Sequence, residues 1–157
     1  MSRRSGQGRA PRVLAIASGG GHWVQLQRLR PLLGELDVAY VSVDRSYGED
    51  VQGRPLHVVR DASRWNKLRL VVQALQVLAV VLRRRPHVVL STGAAPGCFG
   101  VVFGKLLGAR TIWIDSLANV ERMSLSGRLV RPFSDLWLTQ WPHLERSEGP
   151  RYAGAVL

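Results

Sequence analysis

Three consecutive glycines, placed between an apolar run and a helical pattern, constrain the fold of this sequence most. The run Val13–Ala17 is continuously apolar, which is typical of a strand buried on both faces of a parallel sheet. Gly19, Gly20 and Gly21 then lead into a helical pattern over His22–Leu33. A strand, a glycine turn and a helix in this order present bare backbone N–H groups to an anion, so we predict a phosphate site. A glycine turn needed only for its tight geometry is the alternative.

The same order of strand, loop and helix recurs along all 157 residues. Two further helical patterns lie at about 66–83 and from Pro96 to Gly108. This alternation predicts an α/β fold, a Rossmann-like doubly wound parallel sheet. We expect a basic disordered tail over residues 1–11 and one domain over residues 12–157. Further strands are predicted at Val38–Val43, Leu56–Val59, His87–Leu90, Thr111–Asp115, Asp135–Thr139 and Tyr152–Leu157.

Small and polar residues follow three predicted strands, at the sheet edge where doubly wound folds bind ligands. Thr92 and Gly93 open a second small-residue loop. His22 starts a helix, where the dipole disfavours an imidazolium, and is a candidate neutral hydrogen-bonding group or base. Asp115 is a candidate general base or acceptor for a sugar hydroxyl. Capping or packing is the structural alternative for both. The next segment contains side chains that bind phosphates or sugars, among them Ser116, Asn119, Arg122 and Ser124.

No recognised nucleophile, nucleotide or metal motif accompanies these residues. The sequence has no Gly-x-Ser-x-Gly elbow, and the glycine run lacks the Lys-Ser/Thr ending of a Walker A loop. Its glycine spacing also differs from that of the dinucleotide fingerprint. The histidines are scattered, and His57 and His87 are predicted to be structural. We therefore predict neither a metal site nor a cofactor.

The charge balance is strongly basic. The chain has 22 Lys+Arg against 11 Asp+Glu, a formal charge of +11, which suits nucleic acid or an anionic membrane surface as a partner. A generally basic, arginine-rich proteome is the alternative. The single cysteine, Cys98, excludes an internal disulfide and is expected to be a small buried hydrophobe. Residues 1–12 are basic and polar with no apolar segment behind them, so we expect no signal peptide and an intracellular protein.

The segment 65–82 is unusually apolar and is flanked by arginines on both sides. Its apolar stretch is shorter than the ~20 residues that a bilayer span needs. A crossover helix buried against the sheet is one interpretation. Such a helix needs only one apolar face, whereas this segment is apolar on three. An apolar helix with a cationic collar suits the interfacial layer of a membrane, so we predict a helix that lies in one leaflet. The predicted membrane contacts are Trp65, Leu75, Leu78, Arg83, Arg84 and Arg85.

Several motifs resemble those of split GT-B glycosyltransferases, whose two halves are separate polypeptides. They resemble the acceptor-side subunit, most closely that of the bacterial PssD-like exopolysaccharide family. The eukaryotic subunit that acts with dolichol-diphosphate-N-acetylglucosamine is related, and the N-terminal domain of MurG is similar at a greater distance. The motifs, spread over most of the chain, are Ser18–Trp23, Ser91–Ala94, Ile114–Ser116, Arg122, Ser124–Gly127, Leu138–Pro142 and Tyr152–Gly154.

The resemblance implies one half of a glycosyltransferase, equivalent to the N-terminal half of a GT-B enzyme and inactive without its partner. This half would hold a lipid-diphosphate-linked acceptor at the cytoplasmic face of the cell membrane, as a peripheral or monotopic protein. The partner subunit, equivalent to the C-terminal half, would bind the UDP-sugar and dock near Trp141–Leu157. By resemblance, Gly19–His22, Thr92 and Gly93 face the acceptor diphosphate. Residues assigned to the acceptor sugar or the interface nearby are Asp115, Ser116, Asn119, Arg122 and Ser124.

The sequence departs from the family pattern in two ways. Family members commonly carry a glutamate where Asp115 stands, so catalysis there must tolerate a shorter carboxylate. Eukaryotic members have an N-terminal membrane anchor that we do not see here, so membrane docking is expected to fall to Leu68–Leu82. The rival hypothesis is a soluble basic module that binds a nucleotide or nucleic acid. Its basic residues lack interleaved aromatics, so nucleic acid is not the expected partner. A scaffold with an inactive site is a further alternative.

Overall fold

The structure, a computed structural model, describes residues 8–156 and contains one parallel sheet. Its strands are β1 (Arg12–Ala17), β2 (Asp37–Ser42), β3 (Leu56–Val58), β4 (Val88–Gly93), β5 (Arg110–Ile114), β6 (Leu136–Thr139) and β7 (Arg151–Tyr152). Their order across the sheet is β3-β2-β1-β4-β5-β6-β7, and every neighbouring pair is parallel. The predicted Rossmann-like α/β fold is thus confirmed.

Helices cover both faces of this sheet. They are α1 (Gly21–Arg28), α2 (Arg30–Leu33), α3 (Lys67–Arg84), α4 (Ala94–Leu106) and α5 (Leu125–Leu129). Side chains of β1 alternate between two cores, because successive strand residues point to opposite faces. Leu14 and Ile16 pack with α3 and α4, whereas Val13 and Ala15 pack with α1 and α2. The sheet is therefore doubly wound.

Some predicted boundaries were wrong. The helix expected over His22–Leu33 is two helices, because Pro31 has no N–H with which to continue the hydrogen-bond ladder of α1. The terminal strand expected over Tyr152–Leu157 is only Arg151–Tyr152; residues 153–156 are not extended into the sheet, and Leu157 lies outside the described residues. Of the expected tail, residues 1–7 also lie outside them, and β1 begins at Arg12.

The helix expected at about 66–83 is α3, and its start is marked by a side-chain cap. Asn66 Oδ1 accepts the backbone N–H of Arg69 at 3.1 Å, which satisfies one of the donors that a helix start leaves free. At its other end, Arg84 Nε donates to His57 Nε2 at 2.9 Å. Burial, followed by the charges of Arg84 and Arg83, lowers the pKa of His57. This favours the neutral imidazole that the hydrogen bond from Arg84 requires.

Glycines on α4 allow this helix to lie close to the centre of the sheet. A Cβ on Gly104 would stand 2.5 Å from Val89 Cγ2, and one on Gly100 would stand 2.1 Å from Ile16 Cδ1. Cys98, on the same helix, is partly buried against the α3–α4 core, and burial raises the pKa of its thiol to about 11. The absence of side chains at Gly100 and Gly104 thus sets the distance between helix and sheet.

Substitution of Gly104 by alanine tests this close contact. Alanine is the better helix former by about 1 kcal/mol, but overpacking against the stiff Val89 side chain costs about 1–3 kcal/mol. We expect Gly104→Ala to lower the free energy of unfolding in urea titrations. The control is Gly34→Ala, whose added Cβ makes only an ordinary contact of 3.7 Å. A Gly104→Ala protein more stable than the parent would contradict the packing described here.

Candidate functional site

The carboxyl ends of β1 and β4 lie side by side at the point where the chain changes direction across the sheet. From β1 the chain proceeds outward to β2 and β3, and α3 then returns it to β4 on the other side of β1. Crevices at such switch points are where doubly wound folds bind their ligands. Here the two flanking connections are the glycine loop before α1 and Gly93 before α4.

The glycine loop is held by an aromatic side chain from another connection. Gly20 adopts φ 63°, a left-handed value that favours glycine, and its N–H donates to Tyr47 Oη at 3.0 Å. The Tyr47 ring stacks on Trp23 with centroids 4.6 Å apart. Trp23 Nε1 in turn donates to Asp50 Oδ2 at 2.8 Å. One N–H of the predicted phosphate cradle is therefore already used inside the protein. Sequence reasoning missed Tyr47, since nothing in the local pattern links it to the loop.

His22 and Thr92 join the starts of α1 and α4. Thr92 Oγ1 donates to the His22 carbonyl at 2.7 Å, and His22 Nδ1 lies 3.1 Å from the Thr92 carbonyl oxygen. Because a carbonyl oxygen only accepts, this second contact is a hydrogen bond when Nδ1 carries the proton. A neutral imidazole in that tautomer keeps its lone pair on Nε2. A Cβ on Gly93 would stand 2.4 Å from His22 Nδ1, so glycine is required there.

Asp115 is buried and surrounded by hydrogen-bond donors. Its Oδ1 accepts from Trp113 Nε1 at 3.0 Å and from Ser124 Oγ at 2.5 Å. Its Oδ2 accepts from Asn119 Nδ2 at 3.1 Å and from the Ser124 N–H at 2.8 Å. Only 2% of the residue is exposed. The carboxylate thereby ties the end of β5 to the segment before α5, where Ser124 caps the helix through the N–H of Gly127.

Two buried glutamines connect this region to the end of the chain, and sequence reasoning missed their role. Gln140 Nε2 donates to Gln25 Oε1 at 2.6 Å and to the Asp115 carbonyl at 2.9 Å. Gln25 Nε2 donates to Ser116 Oγ at 3.2 Å. Gln140 Oε1 accepts the N–H of Val156 at 2.7 Å. One available signal was that Gln140 lies in the motif Leu138–Pro142, on which the resemblance to split glycosyltransferases partly rests.

A cleft of about 360 Å³ opens at this edge of the sheet. Of the predicted site residues, the structure brings His22, Ser116, Asn119 and Ser124 together in its wall, with Ala94 and Ala95 at the start of α4. Gly19–Gly21, Thr92 and Gly93 are not part of the lining, and Arg122 is exposed and also outside it. Residues absent from the prediction complete the wall: Ala62, Arg64, Ala118, Leu125 and Ser126.

The predicted membrane contacts lie on α3 and beside it. Trp65 is 82% exposed and Leu75 61% exposed, whereas Leu78 is half-buried. Of the arginines after the helix, Arg83 and Arg85 are exposed, but Arg84 is half-buried and turned toward His57. The two glutamines of the helix, buried Gln73 and exposed Gln76, both bind the backbone of Arg60. The helix also carries a row of exposed apolar residues: Leu68, Val71, Leu75 and Leu82.

Among residues 8–156, no group of three or more His, Cys, Asp or Glu side chains is arranged to hold a metal ion. The ionisable side chains in the cleft wall are His22 and Arg64, and His22 makes an internal contact with the Thr92 carbonyl. The arrangement can offer the His22 imidazole, serine hydroxyls, the Asn119 amide and one arginine to a ligand.

Residues 57–156 match the protein family described as "Oligosaccharide biosynthesis protein Alg14 like". The chain belongs to this Alg14-like family. A UDP-N-acetylglucosamine transferase subunit ALG14 from Eremothecium gossypii is 32% identical over 98% of this chain and 84% of that protein. The subunit of the same name from Mus musculus is 26% identical over 93% of this chain and 83% of its own length. The prediction of a glycosyltransferase subunit is thus confirmed.

Solved structures share the fold of this Alg14-like chain. MurG from Acinetobacter baumannii matches 91% of this chain with a TM-score of 0.74 and 12% identity. UDP-GlcNAc 2-epimerase from Methanocaldococcus jannaschii matches 82% with a TM-score of 0.63 and 12% identity. This chain spans only 45% of the MurG chain and 39% of the epimerase chain. The likeness confirms the predicted Rossmann-like, doubly wound α/β fold.

Within residues 8–156 of this Alg14-like chain, no helix combines the length and the apolar character that crossing a bilayer requires.

Ser124→Ala tests whether Asp115 anchors the segment before α5. Alanine removes a short hydrogen bond to the buried carboxylate and the side-chain cap of α5. We expect the free energy of unfolding to fall by about 1–3 kcal/mol in urea titrations. Ser126→Ala, a change of the same size in the cleft wall, should cost much less. Equal stabilities of the two variants would contradict the anchoring role of Asp115.

Proposed function

We propose that this chain is the acceptor-binding subunit of a two-chain glycosyltransferase. Its reaction would move a sugar from a UDP-sugar to a lipid-diphosphate-linked saccharide, and the names of its relatives support N-acetylglucosamine as that sugar. The observation that carries the proposal is the match of nearly the whole chain to less than half of MurG. The relatives from Eremothecium gossypii and Mus musculus are named as transferase subunits, which supports a second chain that completes the enzyme.

In this proposal the partner is a subunit equivalent to the C-terminal half of a GT-B enzyme, and it holds the UDP-sugar. It docks near Trp141–Leu157. The support is the hydrogen bond from the Val156 N–H to Gln140, together with the bond from Arg28 Nη1 to the Val156 carbonyl at 3.2 Å. Through Gln140 and Gln25, the first of these contacts links the C-terminal segment to Ser116 in the cleft wall. Docking there would complete the site without disturbing the sheet.

The proposed chemistry assigns His22 as the general base. An acceptor hydroxyl attacks the anomeric carbon of the donor sugar, the bond from that carbon to UDP breaks, and the hydroxyl proton passes to His22 Nε2. The hydrogen bond to Thr92 supports this role because it leaves Nε2 with the lone pair. Asp115, with both carboxylate oxygens engaged, holds Asn119 and Ser124 toward the acceptor sugar, and Gln25 holds Ser116. Arg122 would lie at the interface, outside the cleft lining.

The acceptor diphosphate would lie between the starts of α1 and α4, close to Gly19–Gly21, Thr92 and Gly93. Neither helix start is capped by a side chain, and neither first turn contains an acidic residue. The positive ends of both helix dipoles are therefore available to an anion. Because Gly20 donates its N–H to Tyr47, the helix starts contribute more to this site than the middle of the glycine loop.

We also propose peripheral or monotopic attachment to the cytoplasmic face of the cell membrane through α3. The row of exposed leucine and valine side chains on α3 and the neighbouring arginines support an interfacial location at an anionic bilayer. Lipid-linked acceptors reside in that bilayer. The proposed bacterial setting is exopolysaccharide synthesis of the PssD-like type, and it rests on the resemblance of the sequence motifs.

The two-chain proposal makes a prediction about transferase activity. The purified chain alone should not transfer sugar to a lipid-diphosphate saccharide, and adding the partner subunit should restore transfer. In the complex, His22→Gln should lower kcat by about 10²–10⁴-fold, since loss of a general base has that effect. The measurement is initial-rate kinetics with radiolabelled UDP-sugar. Unchanged kcat for His22→Gln would remove His22 from the chemistry, whereas an active isolated chain would refute the two-chain proposal.

Attachment through α3 makes a prediction about binding to lipid vesicles. Leu75→Asp should weaken binding to vesicles that contain phosphatidylglycerol by at least about tenfold, because burying a leucine contributes about 1.5–3 kcal/mol. Leu78→Asp should act in the same direction, with an added loss of stability because this side chain is half-buried. Leu32→Asp is the matched control: Leu32 is 76% exposed on α2, on the other face of the sheet. Flotation assays compare the three variants.

Equal flotation of Leu75→Asp and Leu32→Asp would contradict docking through α3. The soluble nucleic-acid module predicts a different pair of results, namely salt-sensitive binding to oligonucleotides and no flotation of the parent chain.

A further inference from the structure

The wall of the cleft contains one permanently charged side chain to which the proposed function assigns no role. Among the described residues of the cleft wall, Arg64 alone carries a permanent charge, and it comes from the connection between β3 and α3. The remaining polar lining is neutral hydroxyl and amide groups together with the His22 imidazole. A ligand with negative charge would therefore find its counter-charge at Arg64.

Helix starts add to the positive potential of this cleft but cannot neutralise a diphosphate. Ala94 and Ala95, in the first turn of α4, form part of the wall, and the end of α4 at the cleft has no capping side chain. Each helix start corresponds to only about half of an elementary charge. A diphosphate ester carries one negative charge on each phosphate. Since the Gly20 N–H is already bonded to Tyr47, a full cation is needed to balance that charge.

Arg64 also connects the cleft to the apolar side of α3. Its guanidinium lies over the Trp65 ring, 4.6 Å from the ring centroid. Trp65 is 82% exposed and precedes Leu68, the first of the exposed apolar row, which is 75% exposed. The stacked pair thus stands between a polar cleft and a surface suited to lipid. A phosphate attached to a lipid chain has to cross this same boundary to reach the cleft.

We propose that Arg64 binds the diphosphate of the lipid-linked acceptor and selects acceptors that carry it. Guanidinium binds phosphate oxygens through paired N–H groups in a planar fork, which a lysine ammonium does not reproduce. Stacking on Trp65 orients that fork at the membrane boundary. The lipid chain then extends along the apolar side of α3 while the sugar enters toward His22. This inference rests on the proposed function, because it names the residue that holds the acceptor of that reaction.

The test uses the complex of this chain with its UDP-sugar-binding partner and a short-chain, water-soluble lipid-diphosphate acceptor, which removes membrane attachment from the measurement. Arg64→Ala should raise the KM for this acceptor by about 10–100-fold, since a lost charge-assisted hydrogen bond has that effect. The kcat and the KM for UDP-sugar should change by less than about threefold. Arg64→Lys should lie between Arg64→Ala and the parent, because charge is kept but the planar fork is lost.

Arg69→Ala is the matched control. Arg69 is exposed in the first turn of α3, so its loss removes the same charge from the same region without altering the cleft wall. Inorganic pyrophosphate provides a second readout: it should compete with the acceptor, and Arg64→Ala should weaken that inhibition whereas Arg69→Ala should not.

Three outcomes would overturn the inference: a parental acceptor KM in Arg64→Ala, a raised KM for UDP-sugar instead, or equal effects of Arg64→Ala and Arg69→Ala. The second of these outcomes would assign Arg64 to the donor diphosphate. Inactivity of the parental complex would instead refute the proposed function, so the two failures are distinguishable. Thermal unfolding of each variant separates a loss of folded protein from a loss of acceptor binding.

Discussion

Two hydrogen bonds between His22 and Thr92 hold the starts of α1 and α4 together, and the site depends on this contact. The bonds cross the crevice between β1 and β4, the two central strands of the sheet. They are formed because Gly93 has no side chain to displace the imidazole. These two contacts fix the orientation of His22, the proposed base. They also fix the distance between the starts of α1 and α4, where the two helix dipoles end. A change at any one of these three residues therefore affects both.

Behind this contact, buried polar groups bind one another instead of water. Asp115 accepts four hydrogen bonds, and Gln140 bridges Gln25, the Asp115 carbonyl and Val156. Buried polar networks are rigid when their members are satisfied, because each unmade bond in a low-dielectric interior is costly. This network positions the polar residues of the cleft wall and extends to the C-terminal segment. It provides a physical connection between the proposed partner interface and the acceptor site.

The two faces of the sheet carry different surfaces. The α3–α4 side presents exposed apolar residues next to arginines, whereas the α1–α2 side includes the aromatic pair that holds the glycine loop. The connection before α3 lies where the first of these surfaces meets the cleft, and Arg64 and Trp65 occupy it. A ligand with an apolar chain and a charged head would find both of its parts accommodated there. This short connection is where the proposed recognition of a lipid-linked anion would take place.

The sequence by itself determined the fold class and most of the strands, but not every helix or boundary. Apolar runs such as Val13–Ala17 specify buried parallel strands, and the glycines after β1 specify the turn, because both depend on local patterns and local backbone sterics. Only the tertiary structure decided which distant groups meet: Tyr47 with Gly20, Gln140 with Gln25, and Arg64 with the wall that contains His22. These contacts join residues far apart in the chain, and their partners follow from strand order and side-chain direction. No local pattern encodes such information, so the sequence could predict which polar residues follow the strands but not the hydrogen bonds that those residues make.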